Sequence, residues 1–283
     1  MRRLVVIPLL LTIACLLLSL PAIAAVDAKA DEIIAKSLDS IGTAEARAAV
    51  KSRVVQGPLH FKDLDGRLGD ETGYWGLVTE RHKMNLVMKF GKGEWHGERF
   101  VYDGAKTDFA VFTSSHRPSS FGDFIRIQDF VLKEGLLGGE LSAAWALDNL
   151  DRDRTRVDYA GTKKLDDHEL EAIEYHSKGN DMEVTIYFDP ASHHHVATIY
   201  KLTWEPGITR NPNASAGRQA IRYTMEERFS DFQTDHDLTL PRHYELRYVQ
   251  EPSGGASRQF EWDMTAEKIF TNVSADPQNF EIK

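Results

Sequence analysis

Cysteine is almost absent: the chain of 283 residues has one, Cys15, inside an apolar run near its start. Beyond that run it can build neither a disulfide nor a thiolate metal site. Positive charge is also scarce, with 34 basic against 43 acidic residues and a net charge of −9. Phosphate backbones need a basic surface, so nucleic acid is not expected as a partner. Catalytic signatures are missing as well. There is no G-x-S-x-G elbow and no H-E-x-x-H. The glycines Gly135, Gly138 and Gly139 follow a helical stretch, not a strand, and lack the Lys-Ser/Thr of a phosphate loop. Adjacent carboxylates such as Asp166-Asp167 and Glu226-Glu227 are expected by chance among 43 acidic residues. No enzyme activity and no cofactor is expected.

Long apolar runs are limited to one. Arg2-Arg3 precede Leu4 to Ile23, which ends at the small-x-small site Ala22-Ile23-Ala24. This pattern reads as a secretory signal peptide, residues 1–24, cleaved after Ala24; uncleaved, it is long enough to act as an anchor. Its removal takes away two arginines, leaving 32 basic against 43 acidic residues and a balance of −11. Residues 25–283 are then expected to form a single exported domain, soluble and monomeric.

Most of that domain reads as strands. Lys29 to Ile41 has helical spacing and stops at Gly42, and Ala44 to Val50 continues helical. From Arg53 the period changes to two. Met84, Leu86, Met88 and Phe90 alternate with Asn85, Val87 and Lys89, and Asp103-Gly104 marks a hairpin between Glu94–Tyr102 and Lys106–Thr113. Later strands include Arg156–Leu165, Glu169–His176, Met182–Phe188, His194–Glu205, Ala220–Phe232, Arg242–Gln250 and Arg258–Phe270. Residues 206–218, rich in Pro, Gly and Asn, read as a loop. About eleven or twelve sequential strands with few helices indicate an antiparallel α+β fold, and a sheet of so many twisted strands tends to curl.

One long helical signal interrupts the strands, from Ser119 to Glu134. Phe121, Phe124, Ile125, Ile127, Val131 and Leu132 fall in one arc, with Asp123, Arg126, Asp129, Lys133 and Glu134 opposite. Phe130 falls on the polar side, and Gln128 in the middle of the apolar stripe, where it meets either a backbone carbonyl or a cavity. Gly135 is the expected stop, and Glu140 to Leu147 reads as a second short helix carrying Trp145. Every methionine after the leader lies on an expected strand, mostly beside aromatics such as Trp75, Phe260 and Trp262. Such side chains either fill a core or line a surface that accepts apolar ligands of variable form.

The triple histidine His193-His194-His195 is the one metal candidate. In an extended segment His193 and His195 share a side, and Asp189 or His176 could complete a set. The run follows the Asp189-Pro190 turn without a spaced motif, so solvated turn histidines and no metal are expected.

The leader, the opening helix ADEIIAKSLDSIG, the helical insertion FGDFIRIQDFVLKEGLLGG and the segments VTIYFDP and LTLPRHYELRY together resemble the LolA/LolB-like outer-membrane lipoprotein-sorting proteins. The resemblance implies a periplasmic protein with a strongly curved antiparallel sheet, an incomplete β-barrel, whose concave face is covered by helices, with a cavity for the acyl chain of a lipid or lipoprotein. On that basis the expected ligand-binding residues are Phe121, Phe124, Ile125, Gln128, Val131 and Leu132 on the helix. Trp75, Met84, Leu86, Met88, Phe260, Trp262 and Met264 join them from strands. A membrane-bound donor or acceptor would be the protein partner. The alternative is a non-carrier structural or interaction domain with a filled core.

Overall fold

The computed structural model describes residues 21–91, 96–112, 117–205 and 219–282, and the side chains of all of these except 21–27. Most of the expected signal peptide, and all of the expected loop 206–218, lie outside the described residues.

Two helices open the described chain, α1 (Pro21–Ile41) and α2 (Ala44–Ala49). Thr43 separates them and caps α2, its hydroxyl accepting from the Ala46 N–H at 3.2 Å. A first run of strands follows: β1 (Ser52–Asp63), β2 (Asp70–Glu80), β3 (Lys83–Phe90), β4 (Gly97–Tyr102) and β5 (Thr107–Val111). Then come α3 (Ser120–Ile127), α4 (Phe130–Lys133) and a 3-10 turn at Gly139–Leu141. The second run is β6 (Thr155–Leu165), β7 (His168–Ser177), β8 (Glu183–Phe188), β9 (His195–Trp204), β10 (Ile221–Asp235), β11 (Leu238–Pro252), β12 (Arg258–Thr265) and β13 (Lys268–Thr271).

Among the described residues all thirteen strands belong to one unclosed antiparallel sheet, ordered β5-β4-β3-β2-β1-β12-β11-β10-β9-β8-β7-β6, with β13 pairing on β1. The count exceeds the expected eleven or twelve because Arg258–Phe270 is two strands. The ladder breaks at Ala266, whose N–H turns to the Arg242 carbonyl at 2.8 Å. Short turns explain the sequential pairing. Asp103 accepts from the N–H groups of Ala105 and Lys106 at 2.7 and 2.8 Å, closing the β4–β5 hairpin. Asp166 and Asp167 take φ of 43° and 68° between β6 and β7, a pair of left-handed residues suited to a two-residue hairpin.

The strand order has a topological consequence. The first meander runs outward from β1 to one edge, β5, whereas the second starts at the opposite edge, β6, and works back to β12 beside β1. The chain between Val111 and Thr155 therefore has to travel from one edge of the sheet to the other. It does so while packing on one sheet face: Phe121 meets Trp262 at 4.6 Å, Tyr248 at 5.6 Å and Phe100 at 5.6 Å between ring centroids. The main core cluster is the layer between this segment and the strands.

The expected single helix is broken in two. Gln128 leaves helical geometry at φ −104° and ψ 46°, and Asp129 is held aside by the Thr107 hydroxyl at 2.6 Å and Lys133 Nζ at 2.7 Å. The break turns Phe130, expected on the polar side, into the core, and leaves Ile127, expected in the apolar stripe, 67% exposed. The expected second helix, Glu140 to Leu147, is only the 3-10 turn followed by further turns. Gly135 does end α4, with φ of 69°.

A Cβ on Gly135 would stand 1.9 Å from the Ala144 carbonyl oxygen, whereas one on Gly161, also at positive φ, would meet nothing within 4 Å. Gly135→Ala is expected to destabilise by more than about 2 kcal/mol and Gly161→Ala by about 1 kcal/mol, from backbone strain alone. Urea denaturation midpoints measure both, and equal losses would contradict the close packing at Gly135.

Candidate functional site

The segment from Ser119 to Leu147 is fastened to the sheet by buried polar groups as well as by apolar contact. At its start, Ser119 caps α3 by accepting from the Gly122 N–H at 2.9 Å. Beneath it Glu98, on β4, takes both donors of Ser119, the N–H at 2.5 Å and the hydroxyl at 2.9 Å. A carboxylate at a helix N-terminus is favoured by the dipole, but burial wins here and pushes Glu98 up to about 7. Tyr248 donates its hydroxyl to the Ser120 carbonyl at 3.1 Å. Further along, Glu134 accepts from the hydroxyls of Tyr175, at 2.8 Å, and Ser177.

The end of the segment rests on a second carboxylate. Glu227, on β10, accepts from the Gly138 N–H at 2.7 Å and from the hydroxyls of Tyr200 and Tyr244, each at 2.6 Å. Burial raises it to about 7 against the pull of these three donors. Arg53, on β1, donates to the Glu140 carbonyl at 2.5 Å, and Thr79 Oγ1 accepts from the Ala143 N–H at 2.9 Å. Desolvation lowers Arg53 to about 10 and raises the Glu140 carboxyl to about 8, each partly countered by the other's charge. Glu98, Glu140 and Glu227 are the glutamates that are buried among the described residues.

His195 belongs to this framework, contrary to the expectation of solvated turn histidines. Its ring is fully buried, stacks on Trp145 at 5.2 Å and pairs through Nε2 with Thr198 Oγ1 at 2.7 Å. Desolvation pushes it down to about 3. His194 stacks on Phe232 at 4.1 Å and meets Ser40, while Asp189 caps the turn and His176 pairs with Asp158. Among the described residues no group of three metal-ligating side chains is assembled, and no helix is long and apolar enough to cross a membrane.

Beside α3 lies an apolar groove of about 490 Å3. Phe124, Ile127, Leu202, Trp204, Ile221 and Tyr223 form its apolar lining, and Ser120, Asp123, Arg126, Gln128 and Gln250 its polar rim. Phe124 stacks on Tyr223 at 5.4 Å and 29°, making the floor. Ile127 and Trp204 stand 67% and 45% exposed at its mouth. Arg126 pairs with Asp123 at 3.0 Å on the rim.

Of the thirteen ligand-binding residues expected from the sequence, Phe124 and Gln128 line this groove. Phe121, Ile125, Val131, Leu132, Trp75, Met84, Leu86, Met88, Phe260, Trp262 and Met264 are brought together, but as buried core. They interlock with each other and with their neighbours: Phe260 and Trp262 pack edge to face at 5.8 Å, and the Trp75 indole donates to the Thr265 carbonyl at 3.0 Å. Among the described residues the groove lies beside α3.

No protein-family model and no curated protein sequence matches the chain. Among solved structures it is similar to a DUF1329 family protein from Desulfovibrio piger, at 9% identity and a TM-score of 0.45, covering 89% of this chain and 97% of that one. It is also similar to MucB, at 10% identity and a TM-score of 0.27, covering 84% and 93%.

The groove residues Ile127, Leu202, Trp204, Ile221 and Tyr223 were not among the expected site residues, although Leu202 and Trp204 share a face in the strand pattern. Nor were Glu98, Glu227 and Arg53. Their signal is parity: each is a charge at the inward position of an alternating strand, Glu98 with Phe100, Glu227 with Met225 and Phe229, Arg53 with Val55.

A buried neutral His195 contributes stability that is complete above its ordinary value of 6.5 and is lost as pH falls toward about 3. Its ring resonances, assigned by nitrogen-15 NMR, are expected to stay constant between about pH 8 and about pH 5. A titration midpoint near 6.5 would contradict the burial.

Proposed function

We propose that the chain is an exported, non-enzymatic carrier that binds an acyl chain of a lipid or lipoprotein in the groove beside α3. The observation that carries this is the apolar groove itself, about 490 Å3, floored by Phe124 and Tyr223 and open beside Ile127 and Trp204. Binding there is non-covalent. Each buried methylene contributes roughly 0.8 kcal/mol, so an acyl chain of ordinary length supplies ample affinity for reversible capture. The polar rim, with Gln128, Gln250 and the Arg126–Asp123 pair, faces the head group. In this proposal residues 25–283 form one domain of LolA-like half-barrel type, released into the periplasm by cleavage after Ala24. The segment 119–147 serves as the cover of its concave face. A monomer exchanges cargo with a membrane-bound donor or acceptor.

A second reading has its own support. The interlocked burial of Phe121, Trp262, Phe260 and the methionines is what a non-carrier domain with a filled core would show.

Organic extraction of the purified mature protein followed by mass spectrometry, then titration with a fluorescent fatty acid, separates the two. The carrier is expected to co-purify with lipid, to bind saturably and to change Trp204 emission. Tyr223→Asp, which sets a charge on the groove floor, is expected to weaken binding at least tenfold (about 1.4 kcal/mol) while leaving the fold intact. No lipid and no saturable binding would overturn the carrier and leave the filled-core domain.

A further inference from the structure

Glu98 and Glu227 hold the two ends of the stretch from Ser119 to Gly138, one under the first turn of α3 and one under the glycine turn. Both are fully buried, and among the described residues neither forms an ion pair. Glu98 receives two hydrogen bonds from Ser119, and its carboxyl lies so close to α3 that a Cβ on Gly122 would stand 2.5 Å from Oε1. Glu227 receives one from Gly138 and two from tyrosines. Each carboxyl therefore lies at a junction between sheet and segment, with no cation among the described residues to balance it if it ionises.

We propose that Glu98 and Glu227 act together as a proton-controlled latch: protonated, they let the segment 119–138 lie against the sheet, and ionised, they favour its lifting away. The word latch implies cargo exchange, and in that respect the inference rests on the carrier proposal; the movement itself needs no ligand.

The titratable groups around the two carboxyls act in both senses: a like charge favours the neutral form of Glu98, whereas the tyrosine hydroxyls that donate to Glu227 favour its ionised form, and burial outweighs them. Asp123, in the first turn of α3, faces Glu98 and adds a like charge. Tyr200 on β9 and Tyr244 on β11 face Glu227, and both are held neutral far above their ordinary range by burial and by Glu227 itself. Beyond Tyr200 lie Thr198 and the neutral His195. Glu140 titrates higher, near 8, beside Arg53, and belongs to a separate contact.

The sign follows from linkage. In the closed form burial lifts both carboxyls from 4.5 to about 7. In the open form they meet water and return to the ordinary carboxylate range. The closed arrangement is thus fully favoured below 4.5 and progressively loses that advantage as pH rises to about 7, above which the effect levels off. Within that window the opening constant grows about tenfold per pH unit for each carboxyl exposed.

Hydrogen exchange of the mature protein tests this directly, with wild type compared with the double variant E98Q/E227Q at about pH 5 and about pH 7, rates being corrected for intrinsic chemistry. Glutamine keeps the shape of a protonated glutamate and cannot ionise. In wild type, peptides within 119–138 are expected to open at least tenfold more at the higher pH while peptides of β1 to β3 do not respond; in the double variant the response is expected to vanish. Equal protection of wild type at both pH values would overturn the latch, as would an unchanged pH response in the double variant. Should that variant fold poorly, the single variants E98Q and E227Q decide by the same exchange measurement: a reduced pH response in both supports the latch, and an unchanged response in either overturns it. Fatty-acid titration at the same two pH values keeps the hypotheses apart. A pH-dependent opening without any lipid binding would support the latch and remove only the carrier.

Discussion

The order of strands in the sheet governs the rest of the molecule. Two meanders joined through β1 and β12 leave their far ends, β5 and β6, on opposite edges, and the chain that links them has no choice but to cross. A crossing chain buries backbone donors and acceptors over an apolar face, where each unpaired group is expensive. The sheet meets that demand with side chains at inward strand positions. Glu98 receives the start of the crossing, Thr79 and Glu227 accept its free N–H groups, and Arg53 donates to a carbonyl near its end. These polar residues stand among phenylalanines, tyrosines and methionines because the crossing has to be anchored there.

Such anchoring has a mixed energetic character. Each hydrogen bond to a charged or strongly polar group contributes about 1.5–3 kcal/mol in favourable geometry, yet placing a carboxyl in the dry interior opposes it. The raised pKa values of Glu98, Glu140 and Glu227 express that opposition. The aromatic contacts of Phe121 with Trp262, Tyr248 and Phe100 carry no such conflict. The apolar contacts of α3 thus oppose opening, while the polar fastenings at either end of the segment respond to conditions. The groove is the place where the crossing chain does not fill the space available. α3 stops at Ile127, the chain bends at Gln128, and Trp204, Ile221 and Tyr223, at the ends of β9 and β10, line the groove beside it.

Much of the fold was legible in the residues. Period-two alternation located the strands, and Asp103-Gly104 and Asp166-Asp167 marked turns whose geometry follows from side-chain capping and left-handed backbone. The helical insertion was visible as well, but its continuity was not. Residues 119–134 have an unbroken helical period, and the break at Gln128 depends on Thr107 reaching Asp129 from a strand, 22 residues earlier in the chain. That tertiary bond reversed the expected roles of Phe130 and Ile127. The candidate site was less legible. Hydrophobicity at strand parity identifies inward residues such as Met84 or Trp262 without telling a packed interior from a cavity, and most of the expected ligand residues are buried. His195 was hidden by its neighbours: a histidine beside a proline turn looks solvated until the next strand carries it inward against Trp145.

The central claim is that hydrocarbon occupies the space between α3 and the ends of β9 and β10. Crystals of the mature protein grown with a fatty acid brominated near its methyl end test it most directly, through the anomalous signal of the bromine. The signal is expected within van der Waals distance of Phe124 and Tyr223. A bromine site elsewhere on the molecule, or none at saturating ligand, would contradict it.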